Sequence, residues 1–250
     1  MSDDGKPNIS AEIHSDLPRE GPGDNASTRR AFSMITELPP QPRILDIGCG
    51  PGIPTTQLAK ITQGSLVALD YEQKYLNELN KNACEQDVVE KIKTVRGSMF
   101  DLPFEQDSFD LIWSEGAIFI IGFEKGLTDW KQFLRNDGYL AVTHISWLKS
   151  DIPDEPKNFW KNAYPAINSI ENNLKIIEQC GYKSVGHFVL PESAWWDDYY
   201  TPMEKRLTML RERHKDDESA LARIAESQQE IDVYRNYSDC YGYVFYIMQK

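Results

Sequence analysis

The sequence predicts a doubly wound α/β fold, and three observations predict it. Apolar runs of strand length alternate with helical patterns from Arg43 to Ile145, joined by short links. The first run enters a glycine-rich turn, Gly48-Cys49-Gly50-Pro51-Gly52, that opens a helix. The second run ends on an acid, Asp70, about 20 residues after that turn.

Met1 to about Gly23 shows little apolar periodicity and carries Pro18, Gly21, Pro22 and Gly23, so residues 1–23 read as a mobile arm. Asn25–Leu38 reads as a helix with Ser27 or Asn25 as its cap, and Pro39, Pro40 and Pro42 stop it. Strands are expected at Arg43–Ile47, Ser65–Asp70, Ile92–Arg96, Phe109–Ser114 and Gly138–Ile145. Helices are expected between them at Ile53–Ile61, Gln73–Gln86 and Gly126–Leu134.

Beyond Ile145 the rhythm changes. Ser146–Pro165 is rich in aromatic residues and proline, Asn168–Cys180 is helical and stops at Gly181, and Ser184–Leu190 and Tyr241–Met248 read as strands. Two helices, Pro202–Arg213 and Asp217–Tyr234, fill the segment between the last two strands, and the charged run Arg211–Glu218 reads as their solvated junction. The chain thus divides into a core over 24–145 and insertions at 146–167 and 191–240, all within one domain over 1–250.

The chain has 250 residues, 40% of them hydrophobic, enough for one large core without disulfides. Lys plus Arg number 27 against 39 Asp plus Glu, a net charge of −12, which repels phosphate backbones and argues against a nucleic-acid partner. The apolar stretch Ala117–Phe123 falls far short of the roughly 18 residues that a membrane span requires, and the polar start does not resemble a signal peptide. Cys49, Cys84, Cys180 and Cys240 are dispersed with no CxxC pair, which argues against a metal site and fits a cytoplasmic location. Aromatic residues make up 11% of the chain and cluster at Phe159–Tyr164 and Trp195–Tyr200, where they suit core, a homodimer contact or a pocket for a flat or cationic small molecule.

A dinucleotide fold wants G-x-G-x-x-G, but here the third glycine comes one position early, at Gly52. Asp46-Ile47-Gly48-Cys49-Gly50-Pro51-Gly52 instead resembles motif I of the class I S-adenosylmethionine-dependent methyltransferases. Leu66–Asp70, Arg96–Phe104 with Ser108–Ile112, and Leu134–Leu140 resemble the later motifs of that family in order and spacing. The closest resemblance is to the ubiquinone/menaquinone-biosynthesis-like group of small-molecule methyltransferases.

The resemblance implies a class I methyltransferase (Rossmann-like) doubly wound seven-stranded sheet, mostly parallel with an antiparallel last strand. It implies S-adenosyl-L-methionine as methyl donor, S-adenosyl-L-homocysteine as product and a small-molecule acceptor. Carried over residue by residue, Gly48, Cys49 and Gly50 would wall the methionine end, and Asp46 would support the turn. Asp70 would hold the ribose, with Tyr71 beside it. Ser98 and Met99 would flank the adenine, and Ser114 or Glu115 would lie near the sulfonium. A serine stands at 98 where family members often have an acid.

Methyl transfer from a sulfonium is accelerated largely by positioning, and a neutral acceptor must also lose a proton. Glu115 and His144, at the ends of the fourth and fifth strands, are the candidate catalytic residues, with Glu115 also suited to an ammonium group and His144 to a place in the core. A protein methyltransferase and a non-catalytic S-adenosylmethionine-binding protein both remain compatible with these residues. A dinucleotide oxidoreductase is disfavoured by the glycine spacing.

Overall fold

Two short N-terminal helices, α1 (Ile9–His14) and α2 (Asn25–Ser33), precede the sheet in this computed structural model, which describes residues 9–15 and 17–250. Helix α2 ends two residues after its last buried residue, Ala31, and does not reach Leu38. Its cap is neither Ser27 nor Asn25. Asp24 accepts the Ser27 backbone N–H at 2.7 Å and so satisfies one of the first turn's free donors.

The predicted alternation follows: β1 (Arg43–Ile47), α3 (Ile53–Ile61), β2 (Ser65–Asp70), α4 (Gln73–Glu85), β3 (Ile92–Arg96), β4 (Phe109–Ser114), α5 (Phe123–Trp130) and β5 (Leu134–Trp147). Helix α5 lies earlier than the expected Gly126–Leu134 because Leu134 already belongs to β5 and pairs with Phe109. Next come α6 (Asp154–Ala163), β6 (Asn168–Ser169), α7 (Ile170–Gln179) and β7 (Lys183–Val189). The chain closes with α8 (Ser193–Trp195), a π-helical turn at Trp196–Tyr200, α9 (Thr201–Arg213), α10 (Glu218–Tyr237) and β8 (Tyr241–Gln249). Ser169, expected inside the helix, caps it by accepting the Asn172 N–H at 3.2 Å.

The sheet order is β3-β2-β1-β4-β5-β8-β7, with the two-residue β6 paired to the end of β5 as an eighth strand beyond the seven expected. Pairs from β3 through β5 are parallel, and β8 runs antiparallel to both β5 and β7. Strand residues alternate between two apolar layers, as a period of two requires. Ile44, Leu66, Leu111 and Trp113 pack with Leu58 of α3 and Leu79 of α4, while Leu45, Val67, Ile112 and Leu140 pack with Leu127 and Trp130 of α5 and Ile177 of α7. Each such fully buried side chain contributes roughly 1.5–3 kcal/mol.

A third apolar cluster joins α1, α9 and α10 to Ile145, Trp195, Tyr199 and Tyr241, and forms a cover over the sheet. The described part of the expected N-terminal arm is packed into this cover. Ile13 is wholly buried, Leu17 and Arg19 nearly so, and the Gly23 N–H donates to Ala194 O at 2.9 Å. Residues 1–8 and 16 of that arm lie outside the described residues. Among the described residues no helix is long and apolar enough to cross a membrane.

Candidate active site

Between the carboxyl ends of the parallel strands and this cover lies a cavity of about 1050 Å³. Open α/β sheets bind their ligands at that end of the strands. One half is walled by the glycine turn, Asp70, Tyr71 and residues 97–100. The other is walled by the cover, with Phe159, Trp160, Tyr164, Trp195, Tyr199 and Tyr243.

β1 delivers Asp46, almost wholly buried, whose carboxylate accepts the Thr55 hydroxyl at 2.6 Å. Burial pushes that carboxyl up to about 7 against the lowering effect of the Thr55 bond. The turn after β1 is left-handed at Gly48, φ +71°, where a Cβ would come 2.5 Å from the Ala117 Cβ, and at Gly52, φ +85°, where it would come 2.3 Å from Leu79 Cγ. The Gly48 and Cys49 N–H groups both donate to Leu69 O, at 2.8 and 3.1 Å, which ties the turn to β2. Cys49 is buried against the cavity, and burial holds its thiol protonated.

Asp70, at the end of β2, uses both carboxylate oxygens: Oδ2 accepts Gly50 N–H and Oδ1 accepts Glu72 N–H, each at 2.9 Å. A carboxylate has about four acceptor positions, so two remain for donors in the cavity. Tyr71 lies at the rim, 66% exposed, with the Arg96 guanidinium 5.9 Å from its ring centre. Ser98 and Met99 line the same half. The Ser98 hydroxyl accepts the Phe100 N–H at 3.2 Å, and Met99 O accepts the Trp130 indole N–H at 3.1 Å, so both belong to a fixed turn.

Two of the expected site residues do not reach the cavity. Ser114 is wholly buried and donates its hydroxyl to Ile47 O at 2.9 Å, stitching β4 to β1. His144 is 1% exposed and stacks on Phe123 with ring centres 4.4 Å apart, its two ring nitrogens without hydrogen-bond partners. Burial lowers its pKa to about 3, so its imidazole is neutral. Between His144 and the cavity stands Tyr164, 5.6 Å from it edge to face.

Glu115 does line the cavity. Its Oε1 accepts the Thr28 hydroxyl at 2.6 Å and the Trp113 indole N–H at 3.0 Å, while Oε2 lies 3.6 Å from the Arg19 guanidinium and has no hydrogen-bond partner. Both members of this ion pair are buried. Burial raises the Glu115 carboxyl, and Arg19 and the two donors oppose that rise.

Arg19 was not expected in the site, because one arginine in a segment without periodicity leaves no local signal. Glu230 was also missed. It lines the cavity from α10 and accepts the Tyr200 hydroxyl at 3.0 Å. Here a signal existed: Ser227, Ile231 and Tyr234 mark the buried stripe of α10, and position 230 adjoins it at helical spacing. Among the described residues no cluster of three His, Cys, Asp or Glu is arranged to hold a metal.

The geometry of the glycine turn has a counterpart among known proteins. A family described as "Methyltransferase domain" matches residues 44–138, the stretch from β1 to the start of the β5 hydrogen-bonded pairs with β4. That match spans the glycine turn, Asp70 and β4. By structure the chain is similar to a SAM-dependent methyltransferase from Thiobacillus denitrificans solved with S-adenosyl-L-homocysteine, with a TM-score of 0.81 and 18% identity over 97% of this chain and 98% of that one. It is also similar to the [4+2]-cyclase SpnF, with a TM-score of 0.74 and 15% identity over 97% and 91% of the two chains. By sequence it is 26% identical over 118 residues to the sterol 24-C-methyltransferase ERG6B of Gibberella zeae, covering 47% of this chain and 30% of that protein. The chain spans about a third of the length of the sterol methyltransferases it matches. The matched residues thus hold the glycine turn and β1–β4, while most of β5, the later strands and the cover lie outside them.

Proposed function

We infer that this chain transfers a methyl group from S-adenosyl-L-methionine to a small molecule. The observation that carries the reading is Asp70, which grips the Gly50 N–H of the glycine turn and keeps two acceptor positions toward the cavity for a pair of ribose hydroxyls. The methionine end would lie along Gly48–Gly50, where no Cβ fits at Gly48. The orphaned Glu115 Oε2 suits its ammonium group, and Arg19 suits its carboxylate, so the buried pair holds the place of a zwitterion. Met99 and the rings of Tyr71 and Phe100 offer the flat apolar walls that an adenine needs. When bound, the donor supplies a methyl group already activated by a sulfonium charge. The chain's part is to orient the acceptor, exclude water and receive a proton.

The second half of the cavity supports a small acceptor. It is enclosed by aromatic side chains of the cover, where a peptide or nucleic-acid chain would need an open groove. His144, off the cavity and neutral, is proposed as a core residue, and Glu115 as a cofactor contact.

A second reading follows from the similarity to a cyclase. One fold hosts several chemistries, and the cofactor half alone does not require transfer. Methyl-labelled S-adenosylmethionine incubated with the protein and a fractionated small-molecule extract separates the two. Label in a small-molecule product supports the transferase. Label that stays on the donor, although the donor binds, supports the binder.

A further inference from the structure

Glu230 is the one carboxylate that α10 presents to the acceptor half of the cavity, and it stands among rings. Tyr200 donates to its Oε1 at 3.0 Å. Four tyrosines, Tyr199, Tyr200, Tyr241 and Tyr243, lie close enough to feel its charge. The ring centres of Trp195 and Tyr243 are 5.3 Å apart, and those of Tyr199 and Tyr200 are 5.1 Å apart. A carboxylate in a cavity lined by Trp195, Tyr199 and Tyr243 is the complement of a nitrogen cation, which gains from the charge and from the ring quadrupoles together.

Arg223 lines the same cavity and its charge opposes the rise of the Glu230 carboxyl, but its hydrogen bonds go elsewhere. The Arg223 guanidinium donates to Glu226 at 2.8 Å and to the Ser10 hydroxyl at 3.1 Å. Burial keeps His14 below the usual imidazole range, hence neutral, and its nearest acid is Glu20 at 3.8 Å. Burial raises the Glu230 carboxyl, and a cation seated against it would hold it ionised.

We propose that the methyl acceptor is an amine, held at Glu230 by its nitrogen and by the rings of Tyr199, Tyr243 and Trp195. This rests on the methyltransferase reading above and names its substrate class. The bound ammonium gives one proton to the Glu230 carboxylate. The freed nitrogen lone pair forms the C–N bond as the C–S bond breaks with its electron pair left on sulfur, and the methylated nitrogen carries the positive charge. Glu230 then releases its proton to solvent.

The test is a calorimetric titration with tryptamine, its N,N,N-trimethyl derivative, tryptophol and indole-3-acetate, each with and without S-adenosylhomocysteine. The expected result is that both cations bind about tenfold or more tighter than the alcohol and the acid. Glu230→Gln, close in shape and able to keep the Tyr200 bond, removes that preference, and Tyr243→Leu weakens both cations. Both variants keep wild-type affinity for S-adenosylhomocysteine, which shows that they fold. Equal or tighter binding of the alcohol or the acid overturns the proposal, as does failure of both cations to bind, or unchanged cation affinity in Glu230→Gln. Failure of the methyltransferase reading shows up separately, as loss of S-adenosylhomocysteine binding in the unmutated protein.

Discussion

Asp70 Oδ2 accepts the Gly50 N–H at 2.9 Å, so the acid that ends β2 also fixes the turn that follows β1. Asp70→Ala is expected to weaken S-adenosylhomocysteine binding by about 1–3 kcal/mol, the scale of lost bonds to a charged group. Calorimetry on the folded variant checks this. Unchanged affinity would remove Asp70 from the ribose site.

Arg19→Leu leaves the buried Glu115 charge without its cation, and is expected to destabilise the protein by about 3 kcal/mol. Adding Glu115→Gln removes the stranded charge and recovers part of that loss. Urea unfolding of both variants measures it. A double variant no more stable than Arg19→Leu alone would mean the pair is not coupled.

Gly48→Ala places a methyl group 2.5 Å from the Ala117 Cβ at a left-handed φ of +71°. The expected result is a loss of about 1–3 kcal/mol of stability, the cost of backbone strain, together with weakened S-adenosylhomocysteine binding. A fully stable variant with normal affinity would contradict the close approach of the turn to the β4 loop.

Asp46 and His144 give the stability profile opposite slopes. The folded Asp46 carboxyl is raised to about 7 from 3.8, so the native state holds a proton that the unfolded chain has lost, and stability falls as pH rises from about 4 to about 7. Glu20, Glu115 and Glu230 are raised by burial and act in the same direction. The folded His144 is lowered to about 3 from 6.5, so the unfolded chain binds the extra proton, and stability falls as pH drops from about 6.5 to about 3. Asp46→Asn should flatten the first slope and His144→Leu the second, in urea unfolding at stepped pH. His144→Leu should also stabilise the protein near neutral pH by about 1 kcal/mol, since it removes two unpaired buried nitrogens. Loss of stability there would show that the ring makes a polar contact.

What the residues revealed in advance follows from the range of the forces involved. The strands, the glycine turn and Asp70 were legible because backbone sterics and apolar periodicity act over a few residues. Ser114 was misplaced by one alternation. Adjacent strand residues point to opposite faces, and its hydroxyl turns toward β1 while Glu115 just beyond the strand enters the cavity. Arg19 was illegible because its partner Glu115 is remote in sequence and α1 has only one buried residue, Ile13, to announce it. Glu230 is a polar residue beside an apolar stripe, a pattern visible along α10, but its meaning depends on Tyr200 and Tyr243 arriving from other elements.

The central claim is that the glycine turn and Asp70 hold S-adenosylmethionine and not a dinucleotide. Calorimetric titration of the full chain with S-adenosylhomocysteine, and in parallel with NAD, tests it most directly. The predicted result is stoichiometric binding of S-adenosylhomocysteine and no heat from NAD. Binding of NAD without S-adenosylhomocysteine would contradict it.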